Sequence, residues 1–281
     1  MSRSESLAAY VWRGTLVAAL AAGMPPGAIV AQSAGVGSPS PAASAAASVA
    51  PVAPALLSSA AAARVHPLKW VYVASLVSQG ATPQRLGFRT LQVSAATFDG
   101  TPAWLVVDER QLHAATLAES LYVAQRDLSP LHRILRTPSG RVTSDFGADS
   151  IRTAFDDDRG HQAAAMASEP RVLANLYLLE AVLGASPLDA AWRASARLAT
   201  ISRDGGGIVP IETRTVGEER VLIPDGAFDT WVVSLRVGQS EERFWVRKSD
   251  GVVVRERIPV VNIPDAQVEL ILALGGVGKA P

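Results

Sequence analysis

The alternation of apolar and polar positions predicts β-structure over most of the chain after about residue 64. In the C-terminal third, Trp231, Val233, Leu235 and Val237 alternate with polar residues, and the same period of two recurs as far as residue 273. This is the pattern of strands with one buried and one wet face. Short turn signals, among them Gly217-Glu218, separate the runs and require antiparallel neighbours. Residues 208–273 therefore predict a meander of about six strands.

The preceding residues continue this pattern in shorter pieces. Lys69–Val77 (KWVYVASLV) is apolar on both faces, which is typical of a central strand. Phe88–Thr97 and Ala103–Asp108 flank the dipeptide Asp99-Gly100, a strong signal for a tight hairpin turn. Four further strand-like runs follow at residues 119–123, 131–136, 141–146 and 150–155.

One segment has helical periodicity instead. Ser168 can cap a helix, Pro170 suits its first turn, and Gly184 can end it. The apolar positions between them are spaced as one helical stripe, Val172, Leu176, Leu179 and Leu183. We expect this stripe to pack on the sheet. The predicted fold is all-β: a strongly curved antiparallel sheet or a partly closed β-barrel, with one packed α-helix.

The N-terminal residues have the composition of a targeting signal followed by a linker. Residues 1–31 resemble a secretory signal peptide, with Arg3 and Arg13 ahead of the apolar run 14–23; an uncleaved anchor is the alternative. Residues 32–63 are almost all Ala, Ser, Pro, Gly and Val, which predicts a disordered linker, or a short helix within 55–63. The antiparallel domain is placed at residues 64–281. The expected location is the periplasm or the exterior of the cell.

The composition of the chain argues against several classes of function. The chain has 26 basic and 26 acidic side chains, so nothing attracts it to nucleic acid. It contains no cysteine, which excludes disulfides, thiolate nucleophiles, cysteine-bound zinc and a lipid-modified N-terminal cysteine. The mature form is expected not to span a membrane, because the apolar run at 14–23 is too short.

No catalytic, cofactor or metal-binding signature is convincing. The run 156–161 (DDDRGH) is rich in oxygen ligands for calcium, but its spacing fits no EF-hand, and a solvated turn is the preferred interpretation. His113 and His132 lack metal-ligand spacing. No nucleophile elbow and no phosphate-binding glycine loop is present. We therefore assign no catalytic residue, cofactor or metal.

Tryptophan is the one residue type that suggests a binding site. Five tryptophans fall in or near predicted strands and would line an apolar pocket if they shared the concave face: Trp70, Trp104, Trp192, Trp231 and Trp245. Ordinary core packing is the preferred alternative, since aromatic side chains dominate β-protein cores.

Two groups of segments resemble a known family. Ile223–Val233 (IPDGAFDTWVV), Arg243–Lys248 (RFWVRK) and Gly251–Arg255 (GVVVR) resemble a family of uncharacterised exported bacterial β-proteins, and Glu119–Tyr122 (ESLY) and Asp127–Leu131 (DLSPL) fit its middle region. That family is similar in architecture to the periplasmic lipoprotein-carrier half-barrels, in which a curved sheet wraps a helix and holds acyl chains. The resemblance implies a lipid or an acylated protein as partner, by analogy of fold alone.

These observations favour a non-enzymatic, exported envelope protein that binds a lipid or other hydrophobic ligand in the concave face of its sheet. A structural or protein-interaction module of the envelope is the alternative. A hydrolase built from histidines and carboxylates of distant strands is the third hypothesis.

Overall fold

The computed structural model describes residues 55–113, 115–260, 263 and 265–276. The predicted signal peptide (1–31) and most of the predicted linker (32–54) lie outside these residues. The described part contains one sheet of fifteen strands and two helices, α1 (Ser59–Ala62) and α2 (Tyr177–Gly184). The all-β prediction is therefore confirmed.

The strands follow the chain in two runs. The first comprises β1 (Leu68–Ser78), β2 (Gln84–Phe98), β3 (Thr101–Leu112), β4 (Ala115–Ala124), β5 (Pro130–Thr137), β6 (Gly140–Phe146), β7 (Ser150–Asp157) and β8 (Gly160–Ala167). The second comprises β9 (Val172–Leu173), β10 (Arg193–Ser202), β11 (Gly205–Ile223), β12 (Gly226–Val237), β13 (Ser240–Arg247), β14 (Val253–Pro259) and β15 (Ala266–Gly276).

The order across the sheet is β8-β7-β6-β5-β4-β3-β2-β1-β15-β14-β13-β12-β11-β10-β9. Each run is an antiparallel meander, and the two runs meet where β1 pairs with β15. Only β9 departs from this rule, because it pairs in parallel with β10. The Asp99-Gly100 turn predicted between β2 and β3 is present, with both residues at positive φ as a tight hairpin requires.

The sheet curls until its two ends pack together without joining. Ile151 and Phe155 of β7 form one buried cluster with Ala199 and Ile201 of β10, although these strands lie near opposite ends of the order. Since the order ends at β8 and β9, the described sheet stays open. The strongly curved sheet is thus confirmed.

Helix α2 lies on the concave face of this sheet, and all residues from Tyr177 to Leu183 are buried. It is shorter than the predicted helix. Val172 and Leu173 form β9 instead, opposite Arg197 and Leu198 of β10. Arg171 has φ +58°, a left-handed conformation that no continuing right-handed helix contains. Leu179 and Leu183 of the predicted stripe are buried as expected, but the helix is enclosed on every side, so burial is not confined to one stripe.

Part of the predicted linker belongs to the fold. Ala55 forms a parallel bridge with Ser195 of β10, and Leu56 and Leu57 are buried. The short helix considered for 55–63 is present as α1, with the Ser58 hydroxyl accepting from the Ala61 amide. The folded part therefore includes residues ahead of 64. Among the described residues, neither helix has the length and apolarity needed to cross a bilayer.

The C-terminal meander has five strands where about six were predicted. Gly217-Glu218 is not a turn, because β11 continues through it and pairs with β12 on both sides. The register shifts between Thr215 and Gly217, so the glycine marks a bulge in one long strand.

Candidate functional site: a buried arginine–carboxylate cluster beneath α2

Four charged side chains meet under α2, and we call them the Arg89 cluster: Arg89, Asp108, Glu180 and Glu256. The Arg89 guanidinium donates to both carboxylate oxygens of Glu180, at 2.6 and 2.7 Å. It also donates to Asp108 Oδ2 at 2.5 Å and to Glu256 Oε2 at 3.0 Å. Each of the four is at most 4% exposed. The Arg89 guanidinium of β2 therefore links helix α2 to strands β3 and β14.

Strand periodicity places this cluster. Arg89 (β2), Asp108 (β3) and Glu256 (β14) each occupy an inward position of an alternating strand, and each has a buried apolar neighbour two residues away, such as Leu91 or Val106. These residues were not predicted from the sequence, because a charged residue in a strand is expected on the solvent-exposed face. The sequence does carry one signal: in each strand, the charged residue occupies a position that the alternation assigns to a buried apolar side chain.

Burial and neighbouring charges shift the pKa values of Arg89 and Glu256 in this cluster. Burial disfavours a charged Arg89 guanidinium, but Asp108, Glu180 and Glu256 outweigh that effect and raise its pKa further. Burial and the neighbouring Glu180 carboxylate raise the pKa of Glu256 well above its usual value, against the pull of Arg89. Burial therefore favours the protonated form of Glu256. Arg110 donates to Asp108 Oδ1 at 2.8 Å, so a second cation reaches the cluster.

Aromatic rings enclose the two guanidinium groups. The Arg110 guanidinium carbon lies 4.2 Å from the centroid of the Tyr177 ring, and that of Arg89 lies 5.3 Å from the same ring. Tyr72 approaches Arg89 from β1 at 5.6 Å and donates its hydroxyl to the Val253 carbonyl. These contacts favour retention of the positive charge in a dry environment.

A small cavity of about 40 Å³ with a mixed polar and apolar lining adjoins the cluster. Its wall includes Arg110 together with Glu119, Arg133 and Asn175. Glu119 accepts hydrogen bonds from Arg133 Nε, at 2.6 Å, and from the side-chain amide of Asn175. Asn175 in turn accepts from the Tyr177 amide at the start of α2. Such a space suits one or two water molecules rather than an acyl chain.

The other end of α2 is fixed by backbone contact. Gly184 and Gly251, in the β13–β14 turn, approach so closely that a Cβ on Gly251 would lie 2.1 Å from the Gly184 carbonyl oxygen. A Cβ on Gly184 would lie 2.6 Å from the Gly251 carbonyl oxygen. Both positions therefore require glycine, and the end of α2 packs backbone against backbone on this turn.

The five tryptophans of the predicted pocket lie at separate places in the fold. Trp70 is buried in the core and lines a cavity of about 10 Å³ beside Gly184. Trp104 and Trp192 are half-buried against the core. Trp231 lies under Lys248 Nζ at 3.9 Å. Trp245 is buried and donates to Glu219 at 2.7 Å beside Arg255. The Trp70 cavity is lined by none of the other four tryptophans.

The histidines lie at separate places. His113 bonds the Arg85 carbonyl at 2.7 Å, whereas His132 contacts Asp145 at 2.7 Å and His161 contacts Asp156 at 2.6 Å. Residues 156–161 span the β7–β8 hairpin turn, in agreement with the turn that was preferred to a calcium site. Arg203 donates two hydrogen bonds to Asp157 in this turn. Within the described ranges, no three acidic or histidine side chains are grouped for metal binding.

Comparison of the chain with family models, curated proteins and solved structures gives no match. The family resemblance proposed from the sequence therefore remains a prediction, and any function must be argued from this geometry.

The raised pKa of Glu256 predicts a pH-dependent stability. A carboxyl protonated in the folded state contributes fully below the unfolded pKa of about 4.3, and that contribution is lost as pH rises through the folded pKa. Glu256→Gln keeps the neutral hydrogen-bonding form at every pH. In urea unfolding at pH 4, 6 and 8, we expect the variant to equal wild type at pH 4 and to be increasingly more stable above it.

Glu269 provides the control of opposite sign. Burial opposes its ionisation, but hydrogen bonds from Arg255 and Arg257 outweigh this and lower the pKa of Glu269. Its contribution is present above the unfolded pKa and is lost as pH falls through the folded pKa. Glu269→Gln should therefore be less stable than wild type at pH 8 and converge with it in acid. Parallel pH curves for wild type and Glu256→Gln would contradict the raised pKa of Glu256.

Proposed function

We propose that the protein is a non-enzymatic binding protein of the cell envelope. In this proposal it holds a lipid or other apolar ligand on the concave face of its sheet, in the space that α2 occupies here. The observation that carries the proposal is α2 itself: a wholly buried apolar helix (YLLEAVLG) whose one charged residue, Glu180, is held by Arg89.

The wall beneath α2 has the character that an acyl chain requires. Leu91, Leu121, Val233, Phe244 and Leu272 belong to the same buried core cluster as the α2 side chains, and each is at most 1% exposed. Acyl chains bind by removing such surface from water, at about 0.8 kcal/mol for each buried methylene group. In the present structure the covering side chains belong to the helix.

The helix depends on the sheet for its place. Eight residues are too few for a stable isolated helix, so α2 is held by its contacts. Displacing α2 also separates Glu180 from the buried Arg89, which costs free energy. An apolar ligand that fills the same space therefore competes both with the apolar side chains of α2 and with this ion pair.

The test compares two core truncations in the full chain. Leu179→Ala shortens an α2 side chain that is fully buried, and Ile151→Ala removes a similar volume from the separate cluster between β7 and β10. Each should lower stability by about 2–5 kcal/mol. Native mass spectrometry with palmitic acid as probe should show uptake by Leu179→Ala at a concentration at least about tenfold lower than by wild type.

Ile151→Ala should bind palmitic acid as wild type does. Equal uptake by the two variants would mean that general loosening of the core is responsible, which overturns the proposal. No uptake by any of the three proteins, with no lipid extracted from protein purified from the producing cell, would also overturn it.

One observation favours the alternative of an interaction module. Strand β8 ends the sheet order, and alternate residues along this edge strand are exposed.

A further inference from the structure

Strand β8 presents an open row of backbone hydrogen-bonding groups. The β7–β8 hairpin closes on the pair Asp157–Gly160, and Ser168 donates its amide to the Asp149 carbonyl at the far end. In an antiparallel ladder, alternate residues bond across and outward. The outward residues are therefore His161, Ala163, Ala165 and Ala167.

This edge lacks the usual protection against pairing with another chain. Natural edge strands are kept short, bulged, covered, or marked by proline and charge. Strand β8 is eight residues long (GHQAAAMA), pairs with β7 without a register shift, and contains neither proline nor Lys, Arg, Asp or Glu. The opposite edge, β9, is only two residues long, and Ala55 bridges the neighbouring strand beside it.

We propose that the β8 edge binds the β8 edge of a second copy of this chain, in an antiparallel two-fold pair centred on Ala164. In this register Ala163 lies opposite Ala165 of the second copy, and His161 lies opposite Ala167. All four outward residues are then paired, which gives about eight hydrogen bonds between the copies. The proposal is independent of ligand binding on the concave face.

Side-chain size agrees with this register. The outward residues Ala163, Ala165 and Ala167 are exposed and small, so nothing in the strand keeps two sheets apart. Beyond the strand ends, the exposed Arg159 and Glu169 are each paired within their own chain, with Asp157 and Arg197.

The experiment uses paired charge variants of the full chain. Ala163→Lys/Ala165→Lys places like charges opposite each other across the seam, and Ala163→Glu/Ala165→Glu does the same with the other sign. In sedimentation velocity from about 1 μM to about 1 mM, wild type should shift from monomer to dimer while each variant stays monomeric. An equimolar mixture of the two variants should form a one-to-one dimer at least tenfold tighter than that of wild type.

Circular dichroism and thermal unfolding establish that the variants are folded, and the mixture itself guards against misfolding, since unfolded chains would not re-form a defined dimer. A wild type that stays monomeric throughout overturns the proposal, including the case in which an extended peptide of another protein uses the edge. So does a lysine variant that dimerises as wild type does, or a mixture that stays monomeric.

Discussion

Arg89→Met should lower the free energy of unfolding by about 3–5 kcal/mol at neutral pH. The substitution removes the one cation that contacts all three acids of the Arg89 cluster and leaves their carboxyl groups buried. Methionine fills most of the arginine volume, so lost packing contributes little. Urea unfolding followed by tryptophan fluorescence measures the change.

Two further variants separate charge from packing. Arg159→Met removes an exposed arginine, 72% accessible in its side chain, and should change stability by no more than about 0.5 kcal/mol. Arg89→Met combined with Glu180→Leu and Glu256→Met removes the unpaired acids and should recover most of the loss, because apolar replacement of a buried ionic group is often neutral or stabilising. A loss below about 1 kcal/mol in Arg89→Met would contradict the assigned cluster.

Gly251→Ala should be the second strongly destabilising change, by about 2–5 kcal/mol. The residue has φ +75°, which is unfavourable for alanine, and the new Cβ would lie 2.1 Å from the Gly184 carbonyl oxygen. The helix end and the β13–β14 turn would both have to move apart. Thermal unfolding of the full chain measures the effect.

Gly100→Ala is the matched control, since Gly100 has φ +77° but open space around its Cβ position. Its free energy of unfolding should fall only by the cost of the left-handed backbone conformation, about 1–2 kcal/mol. Equal losses at the two positions would show that the approach of Gly184 to Gly251 does not constrain the helix.

The sequence predicted the strands whose patterning is strong in itself. β1, the β2–β3 hairpin and the alternating strands β12, β13 and β15 follow from β-branched and aromatic residues at a period of two, with glycine turns between them. Local pattern suffices there because each strand has one apolar face and a short connection to its partner.

Other elements depend on partners that the local sequence does not specify. β8 (GHQAAAMA) is rich in alanine, which favours helix, and it is a strand because β7 holds it in a ladder. β9 exists through its pairing with β10, which replaced the first turns of the predicted helix. Tertiary pairing overrides local propensity in both cases.

The candidate site was hidden for a related reason. Arg89, Asp108 and Glu256 are far apart in sequence and were read as wet-face residues, whereas each is buried with a partner from another element. Glu180 lay in the predicted helix, and it is buried because the observed helix is enclosed by the sheet. Pairing of opposite charges across distant strands has no local signature, although polar residues at inward positions do.

The ladder between β1 and β15 has a consequence for the order of folding. Lys69 pairs with Gly276, so the centre of the sheet is built from its two most distant strands in sequence. The β1–β8 meander must wait, with the edge of β1 exposed, until β15 has been synthesised. Contacts of such long sequence separation slow folding and leave an aggregation-prone intermediate. This protein should therefore fold slowly and late, and a chaperone that shields β1 should raise its yield.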